Sequence, residues 1–283
     1  MHFTGSRTPG RYPLALALLA ALAASGAAKA SEAWYLSYRH WQAYDWPEHA
    51  TSASEVSRSQ RALGWRRQVT GGDLGLDYDY QPLRLRAGEP AHNGHLHRVT
   101  AGGQWQWGRY RMAARAGLAG TSNMFKYQDF HHKAVNGQVA AFRAMADGSP
   151  FSVGIGGDHR FGSFGWLPRL RWASTTGHGH WLVDLPVLLR WQSPGQKLAA
   201  RIERVGDRWA TLDSDRAVQS ALYLCEWRAE LTYRVSPARR WRPGVTLGLG
   251  GSLDTRVEYR DLGLGTVDRT LGDALFGRIR LDW

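Results

Sequence analysis

The chain has 283 residues, with 36 Lys and Arg against 24 Asp and Glu for a net charge of +12. Cys225 is the single cysteine, so no intrachain disulfide can form. After the first thirty residues no apolar run is long enough for a membrane-spanning helix, which excludes a helical membrane protein.

Residues 1–30 read as a targeting segment. Met1 to Tyr12 carries Arg7 and Arg11 and no acid, Leu14 to Ala24 is unbroken apolar sequence, and Ala28-Lys29-Ala30 has a small-x-small form. That order is the order of a cleaved secretory signal peptide, with a mature domain over 31–283. Losing Arg7, Arg11 and Lys29 takes Lys and Arg from 36 to 33 against 24 acids, a balance of +9. Export argues against a nucleic-acid partner for that charge.

From there the chain alternates with period two. The pattern predicts strands near 33–42, 56–69, 73–86, 95–106, 109–120, 150–160, 164–174, 181–191, 196–205, 219–235, 241–253 and 271–283. "GQVAAFRAMADGSP" and "TRVEYRD" are candidates for two more, so the count is twelve, or fourteen with these. "DLGLDYDY" sets Leu74, Leu76, Tyr78 and Tyr80 against Asp73, Asp77 and Asp79, and "YRMAARAGL" sets Tyr110, Met112 and Leu118 against Arg111 and Arg115. Pro82, Pro168, Pro186 and Pro243 fall inside these strands, where each removes a ladder donor and predicts a bulge or a strand end. Short and long connections alternate, which predicts an antiparallel barrel with short turns at one end and longer loops at the other.

Aromatic spacing points to what surrounds the barrel. In "YLCEWRAELTY", Tyr223 and Tyr233 share a face ten residues apart, with Cys225, Trp227, Ala229 and Leu231 between them. "WLVDLPVLLRW", read as one strand, separates Trp181 and Trp191 by the same interval. Ten residues of strand cover ~33 Å, or ~23 Å vertically at a 45° tilt. That matches the ~25 Å apolar band of an outer-membrane barrel, which is rimmed by aromatics at both interfaces. The apolar face is therefore expected to meet lipid and the charged face to line a lumen.

The chain ends on Trp283, with Leu281, Ile279 and Leu275 at the same parity and Gly277 interrupting the series. This resembles the C-terminal signal of Gram-negative outer-membrane barrels, whose terminal aromatic is read by the barrel assembly machinery. The mature length, with "FGWLPRLRW" and "WLVDLPVLLRW", looks like the uncharacterised outer-membrane β-barrels of proteobacteria. The resemblance implies the cell outer membrane, its lipids and lipopolysaccharide as surroundings, and no reaction or cofactor.

The charged face is the candidate site. Arg111, Arg115, Arg190, Arg228, Arg234, Arg278 and Arg280 should point inward with Asp77, Asp79, Asp184, Glu226 and Glu230. The arginine excess fits a small-solute channel that leans toward anions. Salt bridges filling a narrow lumen fit a structural envelope component instead. Lys126, Lys133 and Arg208, placed in outer loops, are candidates for gripping lipopolysaccharide phosphates. His92, His95 and His97 cluster near a strand end, where alternate histidines share a face, but no cysteine or carboxylate spacing completes a metal site. The alternative function is a barrel enzyme acting on lipid or lipopolysaccharide, although no G-x-S-x-G signature occurs.

Overall fold

A computed structural model of the chain describes residues 32–45, 55–85, 92–128, 130, 132–212, 219–238, 242–261 and 265–283. The predicted signal segment lies outside them. The first strands are β1 (Glu32–Trp41), β2 (Tyr44–Asp45), β3 (Glu55–Val69), β4 (Gly72–Leu85), β5 (His92–Trp107) and β6 (Tyr110–Thr121). A six-residue helix α1 (Ser122–Tyr127) and a 3-10 turn (His132–Ala134) follow. Then come β7 (Val135–Ala144), β8 (Phe151–Asp158), β9 (Gly165–Thr176), β10 (Gly179–Leu185) and β11 (Leu188–Gln192). The last are β12 (Leu198–Leu212), β13 (Gln219–Ser236), β14 (Gly244–Asp261), β15 (Gly265–Leu271) and β16 (Ala274–Asp282).

These strands close on themselves. β1 pairs antiparallel with β3 on one side and β16 on the other, and every neighbour between is antiparallel. β2 only extends the pairing of β3, and β15 pairs the far end of β14 before β16 continues the stave. The wall is therefore a fourteen-strand barrel without a free edge, which removes the unpaired backbone row that an open sheet presents.

Fourteen replaces twelve for two reasons. "GQVAAFRAMADGSP" supplies most of β7, as the pattern allowed. "WLVDLPVLLRW" is two strands, not one: Trp181 lies opposite Trp191 and Asp184 opposite Leu188, with Pro186 in the turn between β10 and β11. The ten-residue interval of these tryptophans is thus a cross-strand contact at one rim, their rings 6.2 Å apart, and measures no membrane thickness. "TRVEYRD" forms no separate strand but continues β14. Leaving out β7 and leaving out the Pro186 turn each reverse chain direction once, so from Gln192 onward the predicted directions are correct. Pro82 breaks the ladder as expected: the β3–β4 register runs Arg58↔Leu83 and resumes at Arg61↔Tyr80.

The wall is uneven. β13 and β14 have 18 residues each, whereas β8, β10 and β11 have 8, 7 and 5. The Thr70-Gly71, Gly108-Arg109 and Gly177-His178 turns lie at the end that holds Glu32 and Trp283, here the base, whereas the β8–β9 turn and the Pro186 turn cap the upper ends of short strands that reach only partway to the far end. Above them β6 and β12 approach each other and bridge in parallel at Gly120 and Ala210. Gly120 permits this, because a Cβ there would stand 2.9 Å from Met124 Sδ and 3.2 Å from the Ala210 carbonyl. Gly206 likewise leaves room for the backbone of His159 and Arg160 in the β8–β9 turn. The far half is consequently a narrower tube than the base.

That tube has an apolar filling. Trp41, Leu83, Leu96, Trp209, Leu224, Val257, Leu271 and Phe276 form one buried cluster. Trp209 and Arg208 are therefore not in an outer loop: β12 runs through both, Trp209 is buried in the cluster, and Arg208 bonds the Val135 carbonyl. The outward face stays apolar, with Leu36, Leu63, Leu76, Ile202, Leu231, Leu249 and Ile279 exposed. Trp34, Trp107, Tyr110, Tyr233 and Trp283 stand exposed toward the base rim, and Tyr38, Tyr78 and Trp166 toward the other. Cys225 departs from the predicted stripe. It is buried beneath Arg204, which lies against the Phe161 and Trp227 rings and pairs with Asp254.

Candidate functional site: the barrel interior

Opposed residues in a ladder share a face. The register sets Arg111, Arg115, Arg190, Arg228, Arg234, Arg278 and Arg280 on the inner face with Asp77, Asp79, Asp184, Glu226 and Glu230. Along β13 the inner residues rise from Arg234 through Glu230, Arg228 and Glu226 to Leu224 and Leu222. The interior thus changes from charged to apolar two-thirds of the way up one strand.

Ion pairs cross the lumen at the charged levels. Glu226 of β13, fully buried, accepts from Arg58 of β3 at 2.9 Å and from Arg228 Nε at 2.6 Å. Thr255 Oγ1 adds a hydrogen bond at 3.3 Å. One level lower, Glu230 pairs with Arg39 of β1 at 3.4 Å and Arg278 of β16 at 3.0 Å. Arg98 of β5 bridges Asp79 at 2.9 Å and Asp207 of β12, which approaches where β6 and β12 meet. Guanidinium planes rest on the apolar filling, with Arg58 4.1 Å from the Trp41 ring and Arg39 4.8 Å from Phe276. Trp41 donates its indole NH to Ser252 Oγ at 2.9 Å. Opposite charges are matched across the barrel, as a low-dielectric interior requires, while Arg39 Nε, Arg58 Nε, Arg278 Nε and Glu230 Oε1 stay buried without a hydrogen-bond partner.

Arg39, Arg58, Arg98 and Asp207 were absent from the sequence-based set. Arg58 and Arg98 sit at the inner parity of predicted strands, so alternation held the signal. Asp207 fell in a segment read as loop.

Nearer the base the balance shifts. Asp184 pairs with Arg169 at 2.7 Å, yet Arg111, Arg115, Arg171 and Arg190 form no ion pair among the described residues. Among the described residues Arg111 bonds only the Gln106 side chain, at 2.8 Å. A cavity of about 290 Å³ lies between Asp79, Arg98, Arg115, Arg160, Asp207 and Arg228. A second, of about 210 Å³, opens at the base beside Arg109, Arg111, Ser149 and Arg171. His159, in the β8–β9 turn at the first cavity, is held below the ordinary imidazole range by burial and then by Arg208.

The histidines of β5 lie elsewhere. His95 and His97 share the outer face, and each engages a tyrosine hydroxyl: Tyr80 at 2.6 Å and Tyr78 at 2.8 Å. Among the described residues no group of three or more His, Cys, Asp or Glu is placed to hold a metal. The side chain of His92 lies outside the description.

The wall and its outer band define the molecule as a closed antiparallel β-barrel. No protein-family model matches the sequence, and no curated protein is detectably similar to it. Among solved structures, an outer membrane channel from Pseudomonas putida F1 aligns with 98% of this chain and 100% of its own, at 10% identity and a TM-score of 0.40. The translocator domain of autotransporter NalP from Neisseria meningitidis covers 96% and 94%, at 9% identity and 0.35. The β domain of the Bordetella autotransporter BrkA covers 88% and 98%, at 11% and 0.29. These likenesses are to the barrel wall and define neither family nor cargo.

Proposed function

We propose that the chain is an integral outer-membrane β-barrel, exported by a signal peptide cleaved after Ala30, whose interior is an anion-leaning passage held shut by its own side chains. The observation that carries this is the vertical order inside the wall: unpaired arginines at the base, crossing ion pairs above them, and an apolar layer at the far end. With the base toward the periplasm, small anions enter the arginine-lined half and stop at Arg58, Glu226 and Trp41. A water-filled pore needs continuous polar walls, and Trp41, Leu224 and Phe276 are 0%, 1% and 2% exposed.

Planar-bilayer recording tests the reading. The wild-type barrel is expected to show little steady current, and Phe276→Ala is expected to show discrete steps that favour anions. Both proteins are first checked for migration that changes on boiling, the mark of a folded barrel. Silence from a folded Phe276→Ala variant would make the interior a structural filling and the protein an envelope component.

Assembly is read from the last strand. Trp283 exchanges backbone hydrogen bonds with Trp34, at 2.9 and 3.3 Å, and so completes the closing seam. Its exposed ring takes the interfacial position that indole prefers. We assign Ile279, Leu281 and Trp283 as the segment that the assembly machinery reads. Trp283→Ser should reduce heat-modifiable protein in the outer membrane several-fold more than Trp166→Ser, a similarly exposed tryptophan at the far end of β9. Equal abundance of the two variants at matched expression would remove that assignment.

A further inference from the structure

One hydrogen-bond chain on the outer wall has no part in filling or closing the barrel. His97 of β5 projects outward beside Tyr78 of β4, with its Nδ1 2.8 Å from the tyrosine hydroxyl. Its Nε2 lies 2.7 Å from Ser122 Oγ, at the start of α1. With the ring proton on Nδ1, the imidazole donates to Tyr78 and keeps the Nε2 lone pair for the serine hydroxyl. A weak hydroxyl nucleophile, a base within hydrogen-bond reach and a third group that orients the base are the three parts that acyl transfer requires. His95 lacks this completion: its Nδ1 engages Tyr80, and no hydroxyl bond to its other nitrogen occurs among the described residues.

The position suits a lipid substrate. On the β4–β5 ladder Tyr78 opposes Val99 and Tyr80 opposes His97, so the histidine stands one step above exposed Val99. Leu118 on β6 opposes Val99 and widens that apolar surface, and Leu76 extends it toward the base. Ten residues separate His97 from Trp107 at the base rim, and ten residues of tilted strand match the height of the apolar band. The Tyr80 and Phe125 rings stand 5.0 and 5.5 Å from the imidazole, giving the site apolar flanks. A lipid against this wall sets its carboxyl esters at the level of Ser122 and its chains over Val99 and Leu118.

We infer that Ser122, His97 and Tyr78 form an esterase site that cleaves acyl esters of lipids at the membrane boundary. Ser122 Oγ attacks the ester carbonyl while its proton passes to His97 Nε2. The carbon–oxygen bond to the alcohol then breaks, and His97 returns that proton to the leaving alkoxide. Water next attacks the acyl-serine with His97 again as base, which releases the fatty acid and restores the serine hydroxyl. Tyr78 is a positioning residue, because it holds the ring in the tautomer that both steps use. The inference rests on the membrane location proposed above and not on conduction through the lumen.

The test uses the full chain folded into vesicles, with the heat-dependent gel shift read beside activity. One set of vesicles holds phosphatidylethanolamine and phosphatidylglycerol, and the other adds hexa-acylated lipid A; released fatty acid is measured in both. A fluorophosphonate probe should label the wild type at Ser122 and leave Ser122→Ala unlabelled. Fatty acid should appear from one or both lipid sources, which identifies the source, and Ser122→Ala should reduce the rate by about 10³-fold or more. Tyr78→Phe should lower kcat by about tenfold with KM unchanged, the loss of one hydrogen bond acting through the base. Folded wild type that is neither labelled nor releases fatty acid overturns the site, as does Ser122→Ala releasing it at the wild-type rate. A wild-type chain without the gel shift fails the membrane reading itself, and the esterase with it.

Discussion

Glu226→Gln is expected to lower the stability of the folded barrel by about 3–5 kcal/mol, the cost of leaving buried charge without its partner. Two guanidiniums, Arg58 and Arg228, converge on this carboxylate, and the side chains of Arg58 and Glu226 are 1% and 0% exposed. Arg58 is not freed to water by the substitution. Arg58 is also held against the Trp41 ring and by Gln81, so it cannot easily swing toward the base. The measurement is the urea midpoint of the protein folded into vesicles, followed by tryptophan fluorescence. Asp282→Asn provides the comparison, since its pair with Arg280 is 34% exposed on both sides and such pairs contribute about 0–1 kcal/mol. If both substitutions shifted the midpoint equally, the crossing ion pairs would not be what ties β3 to β13.

Ala229→Arg tests the other face of the same strand. Ala229 lies between Ile202 on β12 and Gly251 on β14, with exposed Leu231 below it on the outer face. No acceptor for a guanidinium is offered by those neighbours. Tyr223 and Tyr233 bracket the position, which puts it near the bilayer midplane, where arginine costs about 2–4 kcal/mol. Gln192→Arg adds the same charge to the inner face near the base, where water reaches, and should change stability by far less. Equal loss of folded protein for the two variants would show the faces to be reversed. The readout is the fraction of each variant that folds into vesicles at matched lipid ratio.

Much of this architecture was legible because a strand's side-chain period is two. Alternation alone separates Arg111 and Arg115 from Met112 and Leu118, and it does so without knowledge of which strands pair. It also sorts Tyr223, Ala229 and Tyr233 from Glu226 and Glu230. What misled was an unbroken alternation across "WLVDLPVLLRW". A two-strand hairpin with a tight turn can preserve the look of one strand, and here Pro186 was the local mark of the turn. The segment 206–218 falls between two predicted strands, and "GDRWATLDSD" mixes polar and apolar residues. Its described part, through Leu212, is held as strand by pairing with β13 and by Trp209 entering the interior.

The apolar layer was present in the sequence as Leu83, Leu96 and Leu224 at inner parity near strand ends. Each stands beside polar inner residues of its own strand, and nothing local says that they meet. The sequence by itself determined the strand class, the two faces and the apolar outer band, since these follow from the period of one strand and the transfer of its side chains from water. Tertiary structure decided the rest: that β7–β11 stop low, that β6 and β12 bridge above them, and that Arg58 reaches Glu226, 168 positions away. Such contacts depend on barrel closure and stagger, which set which residues stand at one height, and no local propensity encodes a height. The meeting of His97 with Ser122 has the same origin, because only the β5–β6 register and the turn into α1 carry the serine back to the histidine.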